Sequence, residues 1–110
     1  MFPVSYFGAD CSVTLPNVVG IGNVRDLVKA VRQELASKRR RIILDLRHSD
    51  AIDSTALGAL VQLFKAATAQ GCELRLLAPR SGVRRVLAIT RLDQIFSIDD
   101  NAAPPIAPAA

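Results

Sequence analysis

Tryptophan is absent from this 110-residue chain, and tyrosine, histidine and methionine occur once each. A single imidazole leaves few catalytic schemes to consider. Cysteine occurs twice, at Cys11 and Cys72, far apart and away from any cluster of soft ligands. That is too few for a structural metal site, and the pair reads as free cytosolic thiols. No apolar stretch approaches the ~18 residues of a membrane span. The start, Met1-Phe2-Pro3-Val4-Ser5, lacks a basic segment followed by an apolar one, so no signal peptide is expected. The expectation is a cytoplasmic protein without metal or cofactor.

What the chain does have is a globular balance, with 50% hydrophobic and 22% charged residues. At this length a single domain can bury its own core without staples. The net charge of +4 permits an anionic partner without demanding one. Its densest run, Lys38-Arg39-Arg40-Arg41, lies between two apolar patterns and has almost no aromatic residue near it. A solvated loop is the simpler reading, and stacking on bases is poorly served.

Val4–Phe7 and Ser12–Leu15 flank Gly8-Ala9-Asp10 and read as a hairpin. Asn23 is placed to cap a helix over 23–36, whose apolar stripe is Val24, Leu27, Val28, Val31 and Leu35. Arg25, Lys29, Arg32 and Glu34 fall on the other face. Ile42–Leu46 is apolar on both faces, as in the middle of a covered sheet. After the polar turn Arg47–Asp50, the pattern from Ala51-Ile52-Asp53-Ser54 to Gln70 predicts a second helix, with Leu57, Leu60, Val61, Phe64 and Ala67 inward. Gly71 then supplies a left-handed residue. Glu73–Ala78 is a strand, Val83, Val86 and Leu87 begin a third helix, and Ile95–Ile98 is an edge strand. Strands alternating with helices predict an α/β fold with a mostly parallel central sheet of four to five strands and three to four packed helices. The domain is expected over 1–98, followed by an Ala/Pro-rich flexible tail over 99–110.

Three constellations could carry chemistry. Gly20-Ile21-Gly22 has two glycines of a dinucleotide fingerprint ahead of a helix, but Arg25 stands where the third is needed and Pro16 interrupts the preceding strand. Ser54 with His48 and an aspartate has the residue types of a hydrolytic set, without the Gly-x-Ser-x-Gly elbow. Ile52-Asp53-Ser54-Thr55-Ala56-Leu57-Gly58 spans a strand-to-helix junction. Asp53, Ser54 and Thr55 all suit a helix cap, and three such residues exceed what one cap needs. A hydroxyl there sits at the C-terminal edge of a parallel sheet and at the positive end of a helix, where a phosphate is tolerated.

The segments Ile42–Leu46 and Ile52–Leu60 together resemble the STAS domain family, and more narrowly its anti-sigma-factor antagonists of bacterial partner switching. Gln70–Leu76, Ser81–Leu87 and Leu92–Phe96 are similar to later parts of the same domain, so the likeness covers 23–98. The resemblance implies a non-enzymatic switch. Ser54 would be phosphorylated by a serine kinase of histidine-kinase-like ATPase fold that doubles as an anti-sigma factor. A serine phosphatase would restore the hydroxyl, and only the unphosphorylated form would bind the kinase. Asp53, Thr55, Ala56, Leu57 and Gly58 would belong to the docking surface. No nucleic acid and no membrane insertion are expected.

Three departures stand out. Ala56 replaces a usual glycine, the acidic Gly-Glu-Leu-Asp stretch is replaced around Asn17–Gly20, and Arg91 stands where a left-handed glycine usually closes the third helix. Two rivals remain: a constitutive STAS subunit of a lipid-transport ATPase in a membrane, and a basic nucleic-acid-binding domain.

Overall fold

The computed structural model describes residues 2–100. Its elements in chain order are β1 (Val4–Phe7), β2 (Asp10–Thr14), β3 (Val18–Val19), α1 (Val24–Ala36), β4 (Arg41–Asp45), β5 (Ala51–Ile52), α2 (Ser54–Ala69), β6 (Glu73–Leu77), α3 (Ser81–Ile89), a 3-10 turn (Leu92–Gln94) and β7 (Ser97–Asp99). Five strands form one sheet in the order β1-β2-β4-β6-β7. Only the β1–β2 hairpin is antiparallel; β2, β4, β6 and β7 run parallel. The α/β fold expected from the sequence is therefore present, with three helices and a mostly parallel sheet.

The hydrophobic pattern decides how the layers meet. Leu27, Val31 and Leu35 of α1, Leu57, Leu60, Leu63 and Ala67 of α2, and Val83 and Leu87 of α3 join one core. They pack on Ile42, Leu44, Leu74 and Leu76, the residues of β4 and β6 that face them by strand alternation. Ile43 and Leu77 point the other way and form a second small cluster with Phe7 and Ala78. Leu63 was not part of the predicted stripe, and Val61 and Phe64 are only half-buried. Apolar residues surround much of α2, which blurs the choice of face.

Several boundaries differ from the sequence reading. The hairpin turn is two residues long, because Phe7 pairs with Asp10 and brings Asp10 into the strand. Ala51 and Ile52 belong not to α2 but to β5, which pairs in parallel with β3. Asn23 caps nothing with its side chain; it ties the preceding turn instead. Glu34 is buried rather than solvated, accepting from Tyr6 Oη at 2.7 Å and Arg39 Nε at 3.0 Å. Ile95 and Phe96 precede the last strand, because the Phe96 ring tucks edge-on against Phe64 at 5.3 Å and its N–H bonds the Leu92 carbonyl. Asp99, expected to open the tail, closes β7 and is gripped by Arg75 through two hydrogen bonds of 2.6 Å. The remainder of that expected tail, 101–110, lies outside the described residues.

Gly71 does adopt a left-handed conformation (φ +74°) after α2, and Arg91 does so (φ +61°) after α3.

Candidate functional site

The junction between β5 and α2 is built around one carboxylate. Asp53 is the N-cap of α2, and its Oδ1 accepts from Ala56 N–H at 2.9 Å. Its Oδ2 accepts from the backbone N–H of Ile21 at 2.9 Å, across 32 positions of sequence. These two bonds stabilise the charged form, and the Asp53 carboxyl is held below the usual carboxylate range. Backbone N–H and C=O groups also join Asp53 to Val19 at 3.0 Å.

The Gly20-Ile21-Gly22 turn is thus the other half of the site. A Cβ on Gly20 would collide with the Asp53 carboxylate, so the close approach requires glycine there. Asn23 fixes the turn from behind: its Oδ1 accepts from Gly20 N–H at 3.0 Å and its Nδ2 donates to the Val18 carbonyl at 2.7 Å. An N–H that a nucleotide phosphate would need is already occupied by the chain's own anion. The two-glycine signal therefore marks a carboxylate cradle. Its role was missed because nothing in the sequence pairs a glycine turn with an aspartate 32 residues away.

Ser54 is the first residue of the 16-residue α2 and is exposed. Its hydroxyl makes no hydrogen bond among the described residues and lies where the unsatisfied N–H groups give the helix a positive end. Thr55 and Gly58 are exposed as well. Ala56 and Leu57 are buried in the core, so their side chains are withheld from any docking partner, contrary to the expected surface. Ala56 fits because its position is helical and its N–H carries the cap.

The other sequence candidates do not join this site. His48 is exposed on the β4–β5 loop and lines a cavity of about 340 Å³ with Phe2, Leu15, Asn23 and Asp26; Ser54 is not among that cavity's lining residues. No hydrogen bond links His48 to Ser54 among the described residues, so the hydrolytic set is not assembled. The basic run is not a free cationic patch. Arg39 pairs with Glu34 at 3.0 Å, Arg40 with Asp10 at 2.8 Å and Arg41 with Glu73 at 2.8 Å. It enters β4, whereas Ser54 follows the exit of that strand. Both cysteines are buried, and burial pushes the Cys11 thiol up to about 12, which disfavours the nucleophilic thiolate. Among the described residues, no cluster of three or more His, Cys, Asp or Glu is placed to hold a metal, and no helix is long and apolar enough to cross a membrane.

The mostly parallel sheet and the N-capped α2, with Ser54 exposed at its first position, complete the candidate site. Residues 9–104 match the STAS domain, and the chain belongs to that family. It is 35% identical over 102 residues to a Thermotoga neapolitana protein named as a candidate anti-sigma factor antagonist, covering 91% of this chain and 89% of that one. A crystal structure from Thermotoga maritima, likewise titled a candidate anti-sigma factor antagonist, superposes with a TM-score of 0.83 at 32% identity, covering 92% of this chain and 87% of that one. The Bacillus cell fate determinant SpoIIAA, solved in its phosphorylated form, shares the fold with a TM-score of 0.70 at 15% identity, covering 89% of this chain and 90% of that one.

Proposed function

We propose that this chain is a phosphorylation-controlled protein-binding switch of the anti-sigma-factor antagonist type, and that it is not an enzyme. The observation that carries the reading is Ser54: an exposed, unbonded hydroxyl at the positive end of α2, directly after an aspartate whose carboxylate accepts two backbone N–H bonds. Phosphorylation adds about −1.5 to −2 charges at neutral pH. At neutral pH the new charge meets the Asp53 carboxylate beside it, and the local surface becomes anionic. A partner fitted to the neutral hydroxyl is then repelled and must desolvate a phosphate to bind.

The partner of the unphosphorylated form is a serine kinase of histidine-kinase-like ATPase fold, opposed by a serine phosphatase, acting in the cytoplasm. Names of relatives with matching length support antagonism rather than service as a transporter subunit. The test is incubation with each such kinase encoded in the same genome, with ATP, followed by intact-mass analysis and peptide mapping. One added phosphoryl group on Ser54, lost in Ser54→Ala, is expected. A phosphate mapped to Ser49 or Ser81, or none with any kinase, overturns the assignment.

A further inference from the structure

Strand β1 leaves one side of its backbone unused. Thr14 N–H bonds the Pro3 carbonyl at 2.9 Å, so Pro3, Ser5 and Phe7 turn their backbone polar groups toward β2. By alternation Val4 and Tyr6 turn their N–H and C=O groups outward, where they have no partner among the described residues. The edge is also unguarded. Val4–Phe7 holds no charge and no proline, and its pairing with β2 runs without a bulge. Pro3 does not guard it, because the N–H that proline lacks would point toward β2. At the opposite edge of the sheet, β7 is three residues long and ends on Asp99 with Asp100 next to it, the short and charged form that discourages pairing.

The free edge borders a cavity. Val4 and Tyr6 lie opposite the core residues Val13 and Cys11, so their side chains are on the helix side of the sheet. With Phe2 they form one wall of a space of about 500 Å³, and Lys29, Ala30 and Gln33 of α1 form the other. Tyr6 is 53% exposed yet fixed in place. Its Oη donates to Glu34 at 2.7 Å, and the Arg39 guanidinium lies 4.6 Å from the ring centroid. A strand and a side chain already ordered have little freedom left to lose on association.

We propose that β1 pairs antiparallel with β1 of a second copy of this chain, about a twofold axis at Ser5, joining two five-stranded sheets into one. The outward donors set the register. With the axis at Ser5, Val4 of each copy faces Tyr6 of the other, and each outward N–H of these residues meets an outward C=O. The side chains agree with that register. Val4 against Tyr6 is a β-branched and aromatic pair on the helix side, and Phe7 meets Pro3 on the bare side of the sheet. No like charges face each other along the strands, since Val4–Phe7 carries none. The twofold is perpendicular to the sheet, so the helices of both copies stay on one side and the cavities beside the two edges adjoin. None of Asp53–Gly58 lies on this edge or lines its cavity, so the inference stands or falls apart from the switch reading.

The test is sedimentation velocity on the full chain, over a concentration series up to about 100 μM. The wild type is expected to form a dimer in that range. Ser5 is exposed and its hydroxyl bonds nothing among the described residues, so replacing it leaves the hairpin intact. Ser5→Lys and Ser5→Glu each set two like charges face to face at the axis and weaken dimerisation by about tenfold or more. An equimolar mixture of the two variants regains the dimer, because position 5 of one chain then meets the opposite charge at position 5 of the other. Both variants keep the wild-type circular dichroism spectrum. A wild type that stays monomeric throughout the series overturns the proposal. A dimer that neither variant weakens forms through another face and overturns it too. Variants that dissociate but stay monomeric when mixed show that the two copies do not meet at Ser5, and the proposed pairing is then wrong.

Discussion

Gly20 and Asp53 are packed so closely that a methyl group on the glycine would overlap the aspartate carboxylate. The contact joins the loop before α1 to the N-cap of α2, the residue that directly precedes Ser54. It also explains why the carboxylate holds one orientation, with one oxygen on Ile21 N–H and the other on Ala56 N–H.

Because Gly20 has no positive φ, replacing it adds crowding and no backbone strain. Gly20→Ala forces the carboxylate to rotate and lose its bonds, at a cost of about 1–2 kcal/mol, the scale of a lost N-cap. Asp53→Ala costs about the same. The double variant costs clearly less than the sum, because both changes break one arrangement. Urea denaturation of the four proteins checks this; strict additivity contradicts the coupling.

Acid stability follows from Arg75 and Asp99. Hydrogen bonding to the Arg75 guanidinium lowers the Asp99 pKa, so the folded chain binds this proton less readily than the unfolded chain. The contribution is complete above the unfolded carboxylate value, about pH 4, and is lost as pH falls through the lower folded value. The thermal midpoint should fall on acidification below about pH 4. Asp99→Asn should lower the midpoint at neutral pH and flatten that acid slope. Equal slopes in the two proteins would show that the Arg75 pair holds nothing in β7.

Arg91 is exposed and left-handed at φ +61°, where a side chain costs about 1 kcal/mol relative to glycine. Its N–H still bonds the Ala88 carbonyl at 3.1 Å, an interaction glycine keeps. Arg91→Gly is therefore expected to raise the thermal midpoint by about 4 °C or more. A lowered midpoint would mean that the arginine side chain contributes more than its backbone strain costs.

Much of this was legible in the sequence because the signals were local. Ile42–Leu46, apolar on both faces, could only be a central strand, and Asp-Ser-Thr before a helical stripe marked the start of α2. The misses have several causes. Asn23 looked like a helix cap, whereas its side chain ties the turn just before it through Gly20 and Val18, and Glu34 looked solvated because Tyr6, 28 positions away, bonds it from β1. The two-residue strands β3 and β5 are too short to leave a periodicity. Ala56 and Leu57 read as contact residues because a motif gives identity without burial.

The central claim is that one phosphoryl group on Ser54 weakens binding of the partner. The most direct measurement is the affinity of the cognate kinase for the unphosphorylated chain and for the chain homogeneously phosphorylated on Ser54, titrated at the same salt. The account predicts tight binding of the first, and binding of the second weaker by about tenfold or more, the effect of roughly 1.4 kcal/mol. Equal affinities would contradict it.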